Sequence, residues 1–339
     1  MIKNWFARWF GGTPRPGQAA PPVQSPPASP QAPAHVSAPA VAAAPAGVVN
    51  PPPLPDLDLA FYRWLLGAGT HAGEAPEQLI LDELARLVRQ PESAAGLVPR
   101  VPAVIPQLLR SLRDESMSAA DLARQVGQDV TLVAELIREV NSSYYSPTAK
   151  VANIEGALML LGQNGLRMLL ARVAFRPVIT AQTGRFARQV APPIWRQSEH
   201  CALAAGMAAT GLGADPFEAY LAGLMHNVGL IVAFRLVDQV AGTGALPRSD
   251  GFALALQDSA RTLSARIATL WELPPPVGAA ILQAGQPDAP ALARALHVGQ
   301  RLASLRMLQG AGVEGAPEAV AALAGEQARI FDKLQDRED

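Results

Sequence analysis

The chain has 339 residues, 49% of them hydrophobic and 17% charged, with a formal net charge of −1. That length allows one large domain or two modest ones with a sizeable buried core. The near-zero charge supplies no global field for nucleic acid or acidic partners, and the single cysteine, Cys201, excludes an intrachain disulfide and a Cys-based zinc site.

Residues 1–12, MIKNWFARWFGG, place Ile2, Trp5, Phe6, Trp9 and Phe10 at helical spacing, with Lys3 and Arg8 largely off that stripe. So short a helix is marginal in water, and it is expected to dock weakly on a membrane surface or in a partner groove. Lys3, Asn4 and Arg8 interrupt the apolar run and no secretory signal is expected. The location expected is cytoplasmic, with membrane association only through this peptide. Residues 13–55 hold 14 of the 31 prolines and one charged residue, Arg15. Proline removes backbone donors and the Ala/Pro pattern cannot bury a face, so a tether is expected, reaching on the order of 130 Å if extended.

Helical patterning begins at Asp56. In DLDLAFYRWLLG, Leu59, Tyr62, Arg63 and Leu66 are expected on one side, with Gly67 and Gly69 as stops. A second stripe runs through Ile80, Leu84, Leu87 and Val88 and closes at Pro91. The two helices, residues 56–95, read as a small appendage. Helix then follows helix. Pro102 starts Ala103 to Leu112, Ser118 with Asp121 makes a capping-box-like start, and Leu132, Val133, Leu136, Ile137 and Val140 form an apolar stripe. No segment sustains a period of two, so the expected fold is all-α, a single multi-helix bundle. Tyr220 to Phe234 is too short for a membrane span and contains His226 and Asn227.

Three runs now carry a likeness: VPAVIPQLLRSL, QDVTLVAELIREVNSSYYS and ANIEGALMLLGQNGLRMLL. Their Pro102 and Pro106, Asp129 with Leu132, Asn141-Ser142 with Tyr144 or Tyr145, and Ile154, Ala157, Leu161 and Gly162 resemble the opening half of the HD-related output domain (HDOD) family. IWRQSEHCALAAGMA, EAYLAGLMHNVGL and ATLWELPPPVGAAIL continue the resemblance, which spans residues 97–305 and leaves 306–339 as a C-terminal helical extension. From the residues alone, Asn141 and Ser142 are suited to cap helix ends, and Gly162 to stop a helix in the left-handed αL conformation.

The resemblance also implies where an HD-type hydrolase would hold divalent metal, through histidines and an adjacent His-Asp pair. Here that pair reads His226-Asn227. The other implied ligand positions are Gln197, Ala260, Ala284-Gly285 and Gln300, so no metal, cofactor or catalytic residue is expected. His226 is expected to be buried and hydrogen-bonded, and His200 and His297 to be ordinary helix residues. The GxGxxG run at Gly310 to Gly315 lacks a preceding strand and reads as a loop. Asp82-Glu83 and Asp114-Glu115 read as solvated faces.

Between Gly156 and Ser198 there is no acidic residue but there are six arginines: Arg167, Arg172, Arg176, Arg185, Arg188 and Arg196. They could form an anion-binding face. The plainer expectation is a surface neutralised by Glu135, Glu139 or Glu199. The function the resemblance implies is a non-catalytic output or scaffold module of bacterial signal transduction, with protein partners and no strong nucleic-acid signal. The alternative is a metal-dependent phosphohydrolase of nucleotides or cyclic dinucleotides.

Overall fold

The computed structural model describes residues 57–67, 74–90, 97, 118–127, 129–142, 145, 147–241 and 248–334. The expected terminal peptide, the tether, the helix at Ala103 to Leu112, Pro102 and Pro106, Tyr144 and Asp114-Glu115 lie outside them. The described helices are α1 (Leu57–Leu66), α2 (Glu74–Arg89), α3 (Ala119–Val126), α4 (Val130–Val140), α5 (Ile154–Thr180), α6 (Arg185–Leu212), α7 (Pro216–Met225), α8 (Val228–Ala241), α9 (Asp250–Leu270), α10 (Pro275–Gln283), α11 (Ala291–Gly310), α12 (Ala316–Ala321) and α13 (Gly325–Phe331). There is no strand among the described residues. The fold is all-α.

Local chemistry sets the helix starts. The Ser118 hydroxyl accepts from Asp121 N (3.1 Å) at α3, and the Asp129 carboxylate accepts from Leu132 N (2.9 Å) at α4, each satisfying an orphan donor of a first turn. Asn141 closes α4: its amide donates to the Ile137 and Val151 carbonyls, and its Oδ1 accepts from Val151 N. At α6 the cap comes from far away in sequence. Asp238 of α8 accepts from Phe186 N and Ala187 N, and a Cβ on Gly184 would stand 1.9 Å from its Oδ2. Pro192 and Pro193 lie inside α6 without ending it. The carbonyls they leave unpaired belong to Arg188 and Gln189, both on the exposed face, where water can serve them.

Gly162 corrects one expectation. Its φ of 71° is positive, as a stop requires, but its ψ of 176° is extended rather than αL. That region is nearly restricted to glycine, and it kinks α5 into two helical stretches without releasing the chain into a loop.

The core forms around α6, whose Ala202, Ala204, Ala205 and Ala209 are fully buried. A Cβ on Gly223 of α7 would meet Ala202 Cα at 2.4 Å, and one on Gly299 of α11 would meet the Cys201 carbonyl at 2.7 Å. Glycine at both crossings lets α7 and α11 approach the α6 backbone more closely than any side chain would allow. Cys201 is buried among these contacts, and burial pushes its thiol well above the ordinary value. Residues Pro216–Val240 are apolar enough to cross a bilayer by composition, but 94% of the most apolar window is buried inside the bundle, and the helix breaks at His226-Asn227.

The first two helices pack into this bundle, α2 against α8 and α9, and α1 against α11 and α9. The buried face of α1 is Leu57, Phe61, Tyr62, Leu65 and Leu66, rotated from the expected one: Leu59 is only half-buried and Arg63 points out to Asp250 (2.6 Å). On α2, Ile80, Leu84 and Leu87 are buried as expected. Glu77 of α2 accepts from Arg248 N, Ser249 N and the Ser249 hydroxyl, holding the start of α9. Arg248 in turn donates to the Leu66 and Gly67 carbonyls at the end of α1. At the other end of the expected domain, α11 runs unbroken from Ala291 to Gly310, across residue 305.

Candidate functional site

Five of the positions singled out from sequence meet at one cavity: Gln197 of α6, His226 and Asn227 of the α7–α8 turn, Ala260 of α9 and Gln300 of α11. The turn places the central pair. His226 caps α7 through its backbone N–H to the Ala222 carbonyl, while Asn227 begins the next helix by accepting from Ile231 N (3.2 Å). Ser264 of α9 fixes the turn by donating to the His226 carbonyl (2.7 Å) and accepting from Gly229 N (2.8 Å). A Cβ on Gly229 would lie 2.0 Å from the Ala260 carbonyl oxygen, so α8 and α9 cross at this point on glycine alone.

His226 Nδ1 lies 2.7 Å from the Gly223 carbonyl. A carbonyl only accepts, so Nδ1 carries the proton and Nε2 keeps its lone pair. Burial pushes the imidazole down to about 4, against a backbone hydrogen bond that favours the charged form. This depression makes a testable statement about acid stability. The unfolded chain takes up a proton near the ordinary histidine value of 6.5 and the folded chain does not until about 4. Stability from this group is therefore full above 6.5 and falls as pH drops through that window, by about 3 kcal/mol in all. His297, also held low by burial, acts in the same direction. Urea unfolding of the parent chain at pH 7 and pH 4.5, compared with His226→Gln, is expected to show the smaller acid loss in the variant; equal losses would remove His226 as the cause.

The neighbours of His226 form a chain of neutral groups. Asn227 Nδ2 donates to Gln197 Oε1 (2.6 Å) and to the Ser198 hydroxyl (3.1 Å), and Gln197 Nε2 donates to the Ser304 hydroxyl (3.2 Å). All four residues are buried. The Asn227 amide thus satisfies the Gln197 carbonyl, and the Gln197 amide passes the chain on to Ser304. A divalent cation needs several imidazole or carboxylate donors converging on one point. Here His226 is the one histidine and Asp58 the one acidic residue lining the cavity, the Asn227 amide donates to Gln197 and Ser198, and no group of three or more His, Cys, Asp or Glu is assembled among the described residues. The donor set does not fit a metal ion.

Two sequence-selected positions stand apart from the cavity. Ala284 and Gly285 lie at the end of α10, where a Cβ on Gly285 would touch the His297 ring at 3.3 Å. The cavity also has a wall that sequence reading missed: Asp58, Phe61, Tyr62 and Leu65, all from α1. Leu230 of α8 and then Gln257, Arg261 and Ser304 complete it. Helical spacing could have suggested these last three, since Gln257 and Arg261 flank Ala260 on α9 and Ser304 lies one turn from Gln300. Nothing local in α1 points to the cavity.

The six arginines do not share one face. Arg167 and Arg172 are buried in α5, whereas Arg185, Arg188 and Arg196 are exposed on α6. Arg172 bonds Glu139 (2.6 Å) and Glu199, and Arg176 stands 3.6 Å from Glu139. Glu135 is engaged instead by Arg138. Burial opposes the Arg172 charge, but Glu199 and Glu139 outweigh it and raise its pKa.

The described residues form an all-α bundle whose α7–α8 turn sets His226 and Asn227 on a small cleft. Residues 98–287 match the HDOD domain family, more than half of the chain, and the chain belongs to that family. An uncharacterized protein of Treponema pallidum (strain Nichols) is 29% identical over 137 residues, which is 40% of this chain and 26% of that protein. The chain thus spans about a quarter of that relative's length. Among solved structures, an HDOD domain protein of unknown function from Geobacter sulfurreducens aligns at 20% identity and a TM-score of 0.53, covering 75% of this chain and 94% of that one. A protein from Marinobacter aquaeolei VT8, provisionally assigned to signal transduction, aligns at 20% identity and 0.52, covering 76% and 64%. At this identity the likeness speaks for the fold.

Proposed function

We propose that this chain is a non-catalytic output or scaffold module of bacterial signal transduction, acting by binding protein partners. One observation carries the reading: at the positions the family likeness assigns to ligands, Gln197 and Asn227 share a hydrogen bond and bond two serines, so neither supplies a negative charge to hold metal and activate water. The assignment of the Marinobacter aquaeolei protein of the same fold is in keeping with it. Residues 1–12 act as a docking peptide at the end of the 13–55 tether, and the site of action is the cytoplasm or its membrane surface.

The test is bound metal on the purified full chain, with phosphodiesterase and phosphatase assays after loading with manganese or iron. Less than about a tenth of an equivalent of metal, and no turnover above a heat-treated control, is expected from the donor set. Stoichiometric metal with turnover that Asn227→Ala abolishes would establish the hydrolase alternative. Deleting residues 1–12 is expected to change localisation or partner capture without moving the melting temperature; if neither changes, the docking role of that peptide falls.

A further inference from the structure

The family match begins at residue 98, yet a helix from outside it forms a wall of the family's cleft. Phe61, Tyr62 and Leu65 of α1 face Gln197, His226 and Asn227 across a cavity of about 80 Å³. That space takes a few waters or a small ion, whereas pockets for drug-sized or nucleotide ligands run to roughly 300–1,000 Å³. We infer that α1 is a built-in lid: it stands in the mouth of the HD cleft as an intramolecular occupant and excludes nucleotides and other phosphoesters of that size from His226 and Asn227.

The lid is anchored rather than hinged. Half of its ten residues are buried. Tyr62 stacks on Phe234 of α8 with ring centroids 6.3 Å apart. Gln257 of α9 donates to the Asp58 carbonyl (2.9 Å), Arg248 holds the Leu66 carbonyl (2.9 Å), and Arg63 pairs with Asp250. These ties grip both ends of the helix from α9 and the segment leading into it. The position of the lid also has a mechanical consequence, because the proline-rich stretch ending at residue 55 enters the fold directly at α1. A partner held at the far end of the tether is therefore joined to the wall of the cleft. The inference concerns the same cleft as the proposed function but rests on the placement of α1, and a lid can cover a cleft with or without turnover.

A thiol placed under the lid tests it. In the full chain, Cys201→Ala removes the native thiol and Ala260→Cys supplies a reporter on the cavity wall; Arg188→Cys is the exposed control. A bulky maleimide dye is expected to label the reporter at least about a hundredfold more slowly than the control, and trimming the lid with Phe61→Ala and Leu65→Ala is expected to speed the reporter at least about tenfold. Equal labelling of reporter and control would overturn the lid, as would indifference of the reporter to trimming in a variant that retains its cooperative melt. If the trimmed variant does not fold, hydrogen exchange on the unaltered chain decides. Amides of 57–66 exchanging as slowly as those of α9 support the lid, and exchange at unfolded-chain rates overturns it. Metal-dependent turnover with slow labelling would remove the non-catalytic reading and leave the lid standing; fast labelling without turnover would do the reverse.

Discussion

Arg172→Met is expected to cost about 3–5 kcal/mol of unfolding free energy, the scale for removing one partner of a buried ion pair. The guanidinium joins three helices: it lies on α5, takes Glu139 from α4 and Glu199 from α6, and its side chain is only 8% exposed. Methionine fills similar volume, so the loss is electrostatic rather than a cavity. It strands two carboxylates side by side in a site where burial already pushes Glu199 above the ordinary carboxylate range, with the half-exposed Arg176 3.6 Å from Glu139. Protonating a carboxylate relieves this in the folded variant, so its loss relative to the parent chain at the same pH is expected to shrink as pH is lowered from 7 toward 5. The triple variant Arg172→Met, Glu139→Gln, Glu199→Gln is expected to recover much of the loss, because neutral groups replace the whole cluster. Urea midpoints for the single and triple variants at both pH values measure this. A loss under about 1 kcal/mol in the single variant would mean the cluster is solvated, as exposed pairs are.

The same arginine marks the limit of what the sequence revealed. The absence of acid between residues 156 and 198 is visible in the letters, and so is the supply of glutamates on either side. Which arginine turns inward depends on how α4, α5 and α6 rotate about their axes, and α6 offers little guidance because its alanine-rich middle is buried nearly all round. Features set within one turn of chain were legible: the Ser118 start, Asn141 as the end of its helix and the positive φ of Gly162. Its extended ψ was not, since that follows from how the second stretch of α5 leaves the kink. The convergence of Gln197, His226, Asn227, Ala260 and Gln300 was implied by family likeness and not by spacing, as these residues come from four separate parts of the chain. Asp238, which caps α6 from α8, shows why: a long-range partner leaves no local pattern, and the glycine at 184 that makes room for it looks like any turn residue.

The boundary before residue 97 is where local reading and packing diverge most, and Leu84→Ala measures the difference. If residues 56–95 were an appendage, emptying its stripe would melt those two helices alone and leave the rest of the molecule at its original midpoint. In the structure Leu84 is fully buried beside Ile80 and Leu87, and α2 packs on α8 and α9, of which α8 follows directly on Asn227 and α9 carries Ala260 and Ser264. Arg235 of the same α8 reaches the Leu97 carbonyl (2.7 Å) and Gln182, so the segment before the family match and the segment within it share one support. A core leucine truncated to alanine costs about 2–5 kcal/mol through lost burial and the cavity left behind. The expected result is one cooperative transition, lowered by that amount, in both circular dichroism and tryptophan fluorescence, to which Trp64 of α1, Trp195 of α6 and Trp271 just beyond α9 contribute. Two transitions, with the second unmoved from the parent, would restore the appendage. A single lowered transition would instead mean that the cooperative unit extends at least to Leu84, well ahead of the residues that identify the family, and that any shortened form beginning at residue 98 exposes the faces of α8 and α9 that α2 now covers.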